Sequence, residues 1–588
     1  MKRRDFLQTG ALGAMLLMTP TLLKEAKYNK KSHLNSCCRV SFFAVVLSAC
    51  FFTSCPARGQ SKAADPYSVA THAAEKLATG VEIPVRNESK YKYLFIDDQI
   101  VGEIEGLRRQ LHQPEKKGIV LKPDQSWEMG SVSAASAPIW VPEEGVYKWV
   151  YHHGKNYSGL AISKDGINWE KPRLGMVEFD GSKDNNIFSD QMIHKVVYDP
   201  HTSDPDKRYK GIKETTLIVS GDLVNWKDAG GDLGGGDSGS LTYDEQGRRF
   251  LAPLKILDSS KDSYRAFNLV TSEDFKNWSE PHSFFDPDEK DQEIAIERIR
   301  RWLSDPGRPR PIYVEPAPGM GWTPPEDIQK LPKRRRSWNA QCGNISVFPY
   351  QGLYIALIRM HYPTGVYLPG HGNNAAFFMV ELASTRDLKE WNRLREPFIE
   401  PARLDQGIVY NYERMLVSPV NRPIIHGDEL WFYYTGTKEH TGGKGRSDLK
   451  DRYSYYMDGT PRDESSLSDL EREDIKAGKS AIYLATLRLD GFVSLTADQE
   501  EGYVLTKPIK LDNGKLYLNL ACAEEGHAWV EIIDESEQVI AISEPVVGDG
   551  LSLRVSWKEG TDISKLSGQT ARLKIHLKEA DLYSFWTE

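Results

Sequence analysis

Cysteine is scarce in this chain: there are 6 in 588 residues, and Cys37, Cys38, Cys50 and Cys55 all fall in the first 60. Only Cys342 and Cys522 remain in the body, which excludes a disulfide framework and a cysteine-based zinc site. Long apolar runs are also missing. Beyond residue 60 none reaches the roughly 18 residues a membrane span needs, so the body is expected to be soluble. The formal charge of −8 excludes the global basic field of a nucleic-acid binder. No His/Asp cluster has zinc spacing and no glycine-rich loop has the order of a phosphate-binding loop, so no cofactor or metal is expected.

What is present is a repeat. Ser163-x-Asp165-x-x-x-Trp169 recurs as Ser220-x-Asp222-x-x-x-Trp226, Ser272-x-Asp274-x-x-x-Trp278 and Thr385-x-Asp387-x-x-x-Trp391. The first three tryptophans lie 57 and 52 residues apart. A strand-rich period of about 40 to 50 residues is the mark of propeller blades. Ser and Asp side chains bond backbone a residue or two on and so make tight turns, and the Trp gives each blade a large anchor. Apolar strand residues precede each turn, as in Leu217, Ile218 and Val219, so the turn is expected to join a blade's outer strands.

The spacing predicts an all-β fold, a five-bladed β-propeller over 91–497 followed by a C-terminal β-sandwich over 498–588. Tyr91 to Ile100 reads as the strand that closes the ring. The first blade starts near Ser136 and the fifth uses Met415 to Pro419 and Leu430 to Tyr434. Two insertions interrupt the blades. Residues 284–337 carry Ile296, Ile299, Trp302 and Leu303 at helical spacing before a proline-rich stretch, and residues 438–479 are polar and charged. In a propeller both insertions border one mouth of the channel. The final 90 or so residues either bind glycan or buttress the ring, and buttressing is preferred.

Residues 1–60 read as an export signal region and 61–90 as a linker. Arg3-Arg4-x-Phe6-Leu7 before an apolar stretch resembles a twin-arginine signal, while Leu47-Ser48-Ala49-Cys50 resembles a lipobox whose cysteine, Cys50, is acylated. The expected location is outside the cytoplasm, periplasmic or cell-surface, with lipid anchoring where the second signal is processed.

Polar groups at inner-strand starts mark the channel mouth: Glu128, His194, Asp237, Asn339 with Gln341, and Glu413. Five blades with such acids, the Ser-x-Asp-x-x-x-Trp turns and a C-terminal sandwich resemble the clan of five-bladed propeller glycoside hydrolases that includes families 32 and 43. Their Asp-Pro pair is absent; Ala137-Pro138 stands in a comparable place, with Glu128 nine residues earlier. The resemblance implies two carboxyl groups flanking a glycosidic bond. Glu413, among Tyr410, Tyr412 and Arg414, is then the acid, and Glu128 or Asp237 the base or nucleophile. Asp97 and Asp98 form a further acidic pair, read as a strand-end turn.

Substrate contacts are expected from His194, Arg336, Trp338, Asn339, Gln341, Arg359, His361, Arg414 and His440. The run Lys333 to Arg336 at the rim suits carboxylated or sulfated sugars, because guanidinium forks pair with such groups. The expected function is hydrolysis of plant or algal polysaccharides or their fragments. Two alternatives stand beside it: a propeller phosphorylase, with Arg336, Arg359, His361 and Arg414 as its phosphate pocket, and a non-catalytic glycan-binding propeller.

Overall fold

The computed structural model describes residues 91–154, 156–234, 239–258, 264–311, 338–366, 374–438, 453, 462–511, 515–558 and 563–588. The signal region with Cys50 and the linker lie outside them. Five antiparallel sheets follow one another along the chain, as the repeat implies. Blade one is built on Val146–His153, Tyr157–Ser163 and Ile187–Ser189, and blade two on Ile193–Tyr198, Tyr209–Lys213, Thr216–Ser220 and Trp226–Asp232. Blade three takes Thr242–Asp244, Arg249–Leu257, Arg265–Ser272 and His282–Phe285; blade four takes Gln341–Tyr350, Leu353–Val366, Asn374–Thr385 and Asn392–Ile399. Blade five holds Glu429–Thr437 and Ser480–Arg488.

The inner strands of blades one and five are split. Val132–Ser133 and Ile139–Val141 both pair with Val146–His153, and Leu416–Pro419 and Ile424–His426 both pair with Glu429–Thr437. Pro138 and Pro423 sit just before the second halves, where a missing N–H breaks the ladder. The breaks are put to use. In one, Asn421 accepts from Ala137 N at 2.8 Å and donates to Leu241 O at 2.8 Å, tying blade five to blades one and three across the channel. In the other, Ser136 Oγ accepts from Val196 N of blade two at 2.7 Å.

Each expected turn joins the third strand to the outermost connection. Asp165 Oδ1 accepts from Ile167 N and Asn168 N, its Oδ2 from Asn168 Nδ2, and Ser163 Oγ from Gly166 N. Asp222 and Asp274 repeat the pattern with Asn225 and Asn277. The residue after each aspartate is left-handed, φ being 75° at Gly166, 73° at Leu223, 62° at Phe275 and 61° at Leu388. At Gly166 a side chain would also meet Tyr433 Oη 2.8 Å away. The tryptophans anchor their own blades, Trp169 against Trp149 at 4.9 Å and Trp226 against Gly211, and reach the neighbouring blade as well. Trp169 lies in a core shared by blades one and five, Trp226 by one and two, Trp278 by two and three and Trp391 by three and four, so each fills the seam with the preceding blade.

Ring closure differs from expectation. The outermost strand of blade five is Glu115–Leu121, paired with Ser480–Arg488. Tyr93–Leu94 instead pairs with Thr570–Thr587 in the C-terminal sheet, as Val101–Glu105 and Arg108–Leu111 join Gly502–Thr506 and Val493–Ala497 there. The reason is exposure. An outermost strand is solvated and reads EKKGIVL, whereas the apolar Phe95 is consumed by the C-terminal core. That core is wrapped by one ten-stranded hydrogen-bonded network whose two 18-residue strands are Leu516–Ile533 and Thr570–Thr587.

Helix α1 spans Glu289–Ser304 in the first insertion, capped by Asp288, and buries Ala295, Ile299 and Trp302; Ile296, expected on the apolar face, is exposed. Trp302 stacks on Phe377 of blade four at 4.2 Å. Helix α2, Asp469–Ala477, capped by Ser468, lies in the second insertion.

Two outcomes follow. Asp222→Ala leaves the Val224 and Asn225 donors without their acceptor and is expected to lower stability by about 2 kcal/mol, seen as a lower urea midpoint. His152, whose Nε2 lies 2.7 Å from Ile193 O of blade two, and His153 are both held down to about 4 by burial, the Ile193 and Trp127 carbonyls opposing. With folded values below the unfolded 6.5, stability is full above pH 6.5 and is lost as pH falls toward 4, by about 3 kcal/mol for each group. Thermal unfolding at pH 7 and pH 4.5 should show that fall, and His152→Gln should shrink it; a flat profile over this window would contradict the burial.

Candidate active site at the channel mouth

In an antiparallel blade, the start of the inner strand and the loop joining second to third strands share one end. That end carries α1, α2 and the sequence-named residues. Asp237, Arg336 and His440 fall outside the described residues, and of His194 only the backbone, in Ile193–Tyr198, is described.

Four of the expected substrate contacts do converge. Gln341 Nε2 donates to Asn339 Oδ1 at 3.2 Å, and Gln341 Oε1 accepts from Arg265 Nη1, which also meets His361 Nδ1. His361 stacks on Phe378 at 4.5 Å, with interplanar angle 9°. Arg359, two residues earlier on the same strand face, lies over the same ring at 5.2 Å, while its guanidinium donates to Ser418 Oγ at 2.9 Å and to Gly343 O at 3.0 Å. Asn339, Gln341, His361 and Arg265 are buried. Trp338 enters blade four with φ 66° and its N–H on Pro363 O. Arg265 was missed by sequence reasoning. It opens a third strand, and third-strand starts share the end of inner-strand starts, so the rule that found Gln341 extends to it.

The two described carboxylates do not join this cluster. Glu128 is fully buried; its Oε2 accepts from Asp124 N and Gln125 N at 2.9 and 3.0 Å, its Oε1 from Tyr151 Oη at 2.8 Å, and Lys171 Nζ lies 2.7 Å away. Asn186 extends the network, donating to Tyr151 Oη and accepting from Trp127 Nε1. Burial, and then the Glu128 charge, hold the Tyr151 hydroxyl well above its ordinary value. Glu128 thus caps its own turn and, together with Asp124, neutralises Lys171.

Glu413 Oε2 accepts from Tyr434 Oη at 2.8 Å and from Lys116 Nζ at 3.0 Å. Lys116 belongs to the outermost strand of blade five, so this carboxylate lies over the blade face, above Gly436, where a Cβ would come 2.6 Å from the Glu413 Cβ. Neighbouring Arg414 instead pairs with Asp474 of α2 at 2.9 Å. Asp474 also holds Lys438 at 2.7 Å, and all three are buried.

Of the alternative acidic pair, Asp97 is gripped by Arg386 in the outer turn of blade four, through contacts of 2.8 and 3.1 Å, at the opposite end of the ring. Among the described residues no three His, Cys, Asp or Glu side chains group as a metal site. A cavity of about 430 Å³ opens elsewhere, in the C-terminal sheet, lined by Asp498, Cys522, Glu579 and Asp581.

No protein-family model and no curated protein matches the chain. Solved structures do. The GH32 beta-fructofuranosidase of Bombyx mori is similar over 81% of this chain and 93% of its own, at 10% identity and TM-score 0.30. A glycoside hydrolase family 43 arabinoxylan arabinofuranohydrolase from Bacillus subtilis is similar over 80% and 99%, at 8% identity and TM-score 0.31. A structure from the GH130 family of mannoside phosphorylases, which contains glycoside hydrolases, is similar over 64% and 96%, at 12% identity and TM-score 0.30. At this level the likenesses add nothing to what the strand pairing already establishes about the fold.

Lys171 keeps Asp124 Oδ1 at 2.7 Å and Lys122 O at 2.9 Å, so Glu128→Ala acts by taking the acceptor from Tyr151 Oη and from the Asp124 and Gln125 amides, and a loss of about 2 to 3 kcal/mol is expected. Thermal or urea unfolding measures it. A variant as stable as the parent would contradict that structural role.

Proposed function

We propose that the chain is a carbohydrate-active propeller that binds an oligosaccharide at the inner-strand-start end of its channel and hydrolyses a glycosidic bond there. The supporting observation is the convergence of Arg265, Asn339, Gln341, Arg359 and His361 across blades three and four. Such a set of fixed donors and acceptors beside an aromatic ring suits hydroxyl-rich or carboxylated rings. Hydrolysis takes two carboxyl groups flanking the bond. Asp237 or Glu128 is the proposed base or nucleophile, and Glu413, whose carboxylate takes Tyr434 Oη and Lys116 Nζ, is the proposed acid. The expected substrate is a plant or algal polysaccharide or its fragments, anionic sugars included, and the expected location is outside the cytoplasm, through either signal of the leader.

Two specific observations favour other readings of the same mouth. The commitment of both described acids to structural pairs favours a non-catalytic glycan binder. The meeting of Arg265 and Arg359 at His361 and Phe378 favours a phosphorylase.

One assay separates the three. Release of reducing ends from arabinan, arabinoxylan, mannan and polygalacturonate is measured with and without inorganic phosphate. The hydrolase reading expects phosphate-independent release that falls at least 100-fold in Asp237→Asn, with unfolding unchanged. Release only with phosphate, or binding with no product, would overturn it.

A further inference from the structure

Tyr410 is 64% exposed, in the connection from blade four to blade five at the mouth. The chain around it is pinned on both sides. Val409 O accepts from the buried Lys438 Nζ at 2.6 Å, and Asn411 Nδ2 donates to Arg403 O at 3.0 Å. Tyr412 donates from its N–H to Tyr483 Oη at 2.9 Å and from its hydroxyl to Ala477 O at 2.7 Å. Lys438 in turn is fixed by Asp474, which also takes Arg414. Desolvating a lysine, an arginine and an aspartate is expensive, and what this triad achieves is to hold the Tyr410 backbone and the end of α2 in one geometry.

Lys479 N donates to Gly130 O at 2.8 Å. The end of α2 is thus fixed to blade one at Gly130 and to the Tyr412 hydroxyl at Ala477.

We propose that Tyr410 is a preorganised platform on which the apolar face of a sugar ring stacks at the channel mouth. A rigid aromatic offers area at little entropic cost, and the C–H face of a pyranose or furanose is its chemical match. The inference deepens the carbohydrate reading above and rests on it.

Affinity gels carrying arabinan, arabinoxylan, polygalacturonate or carrageenan test both, with the full folded chain. The parent protein should be retarded in at least one gel. In that gel Tyr410→Ala should bind about tenfold more weakly, Tyr410→Phe should bind as the parent does, and both should unfold at the parental midpoint, since the ring buries little. Ile167→Ala, at an exposed position in the blade-one turn, is the control and should bind normally. Parental binding with undiminished affinity in Tyr410→Ala would overturn the platform alone. No retardation of the parent in any gel would overturn the carbohydrate reading and the platform with it.

Discussion

The side chain of Asn421 is the tie on which the shape of the mouth depends. One amide takes an N–H from blade one and gives its own to a carbonyl before blade three, from a break in blade five. It is buried, so neither bond has water as a ready substitute, and losing one leaves a polar group stranded. Two prolines make this possible. By interrupting the innermost ladders they leave the Ala134 and Ala137 N–H groups without strand partners, and these go to the neighbouring blade five, to Thr435 Oγ1 and Asn421 Oδ1.

Around that tie the ring is held laterally. Each turn tryptophan fills the seam with the blade before it, and blade five, whose outer strand comes from residues 115–121, has no such turn. There Phe492 takes the part, edge-on to Tyr350 and to Phe432. Charged groups are distributed by the same logic. Glu128 with Lys171 and Glu413 with Lys116 sit on blade faces where a partner on an outer element neutralises them. Glu381, in blade four, has its pKa raised by burial but lowered overall by the Arg393 and Arg298 charges, which fasten α1 and the outer strand.

Much of this was legible in the sequence. The tetrads gave four of the outer turns, because an Asp, a Ser or Thr and a Trp at fixed offsets perform one local task wherever they occur, and the hairpin of Met415 to Pro419 with Leu430 to Tyr434 gave the fifth blade. Asn339, Gln341, Arg359 and His361 were legible because strand order alone fixes which end a residue occupies. Direction was not. Glu413 and Arg414 share an end, in the loop before Leu416–Pro419, and point to different partners, and no single-residue offset in a loop reveals the direction of either. The closing strand escaped for a related reason. Apolar content was taken as the sign of a ring strand, but a solvated outermost strand is among the most polar in the fold, while the apolar segment around Phe95 served a different core.

Hydrogen exchange on Asn421→Ala tests the cross-channel tie most directly. If the amide joins three blades, peptides covering residues 134–141 of blade one and 240–244 of blade three should exchange faster together with those around residue 421. Faster exchange confined to blade five, with the Ala137 amide as protected as before, would contradict it.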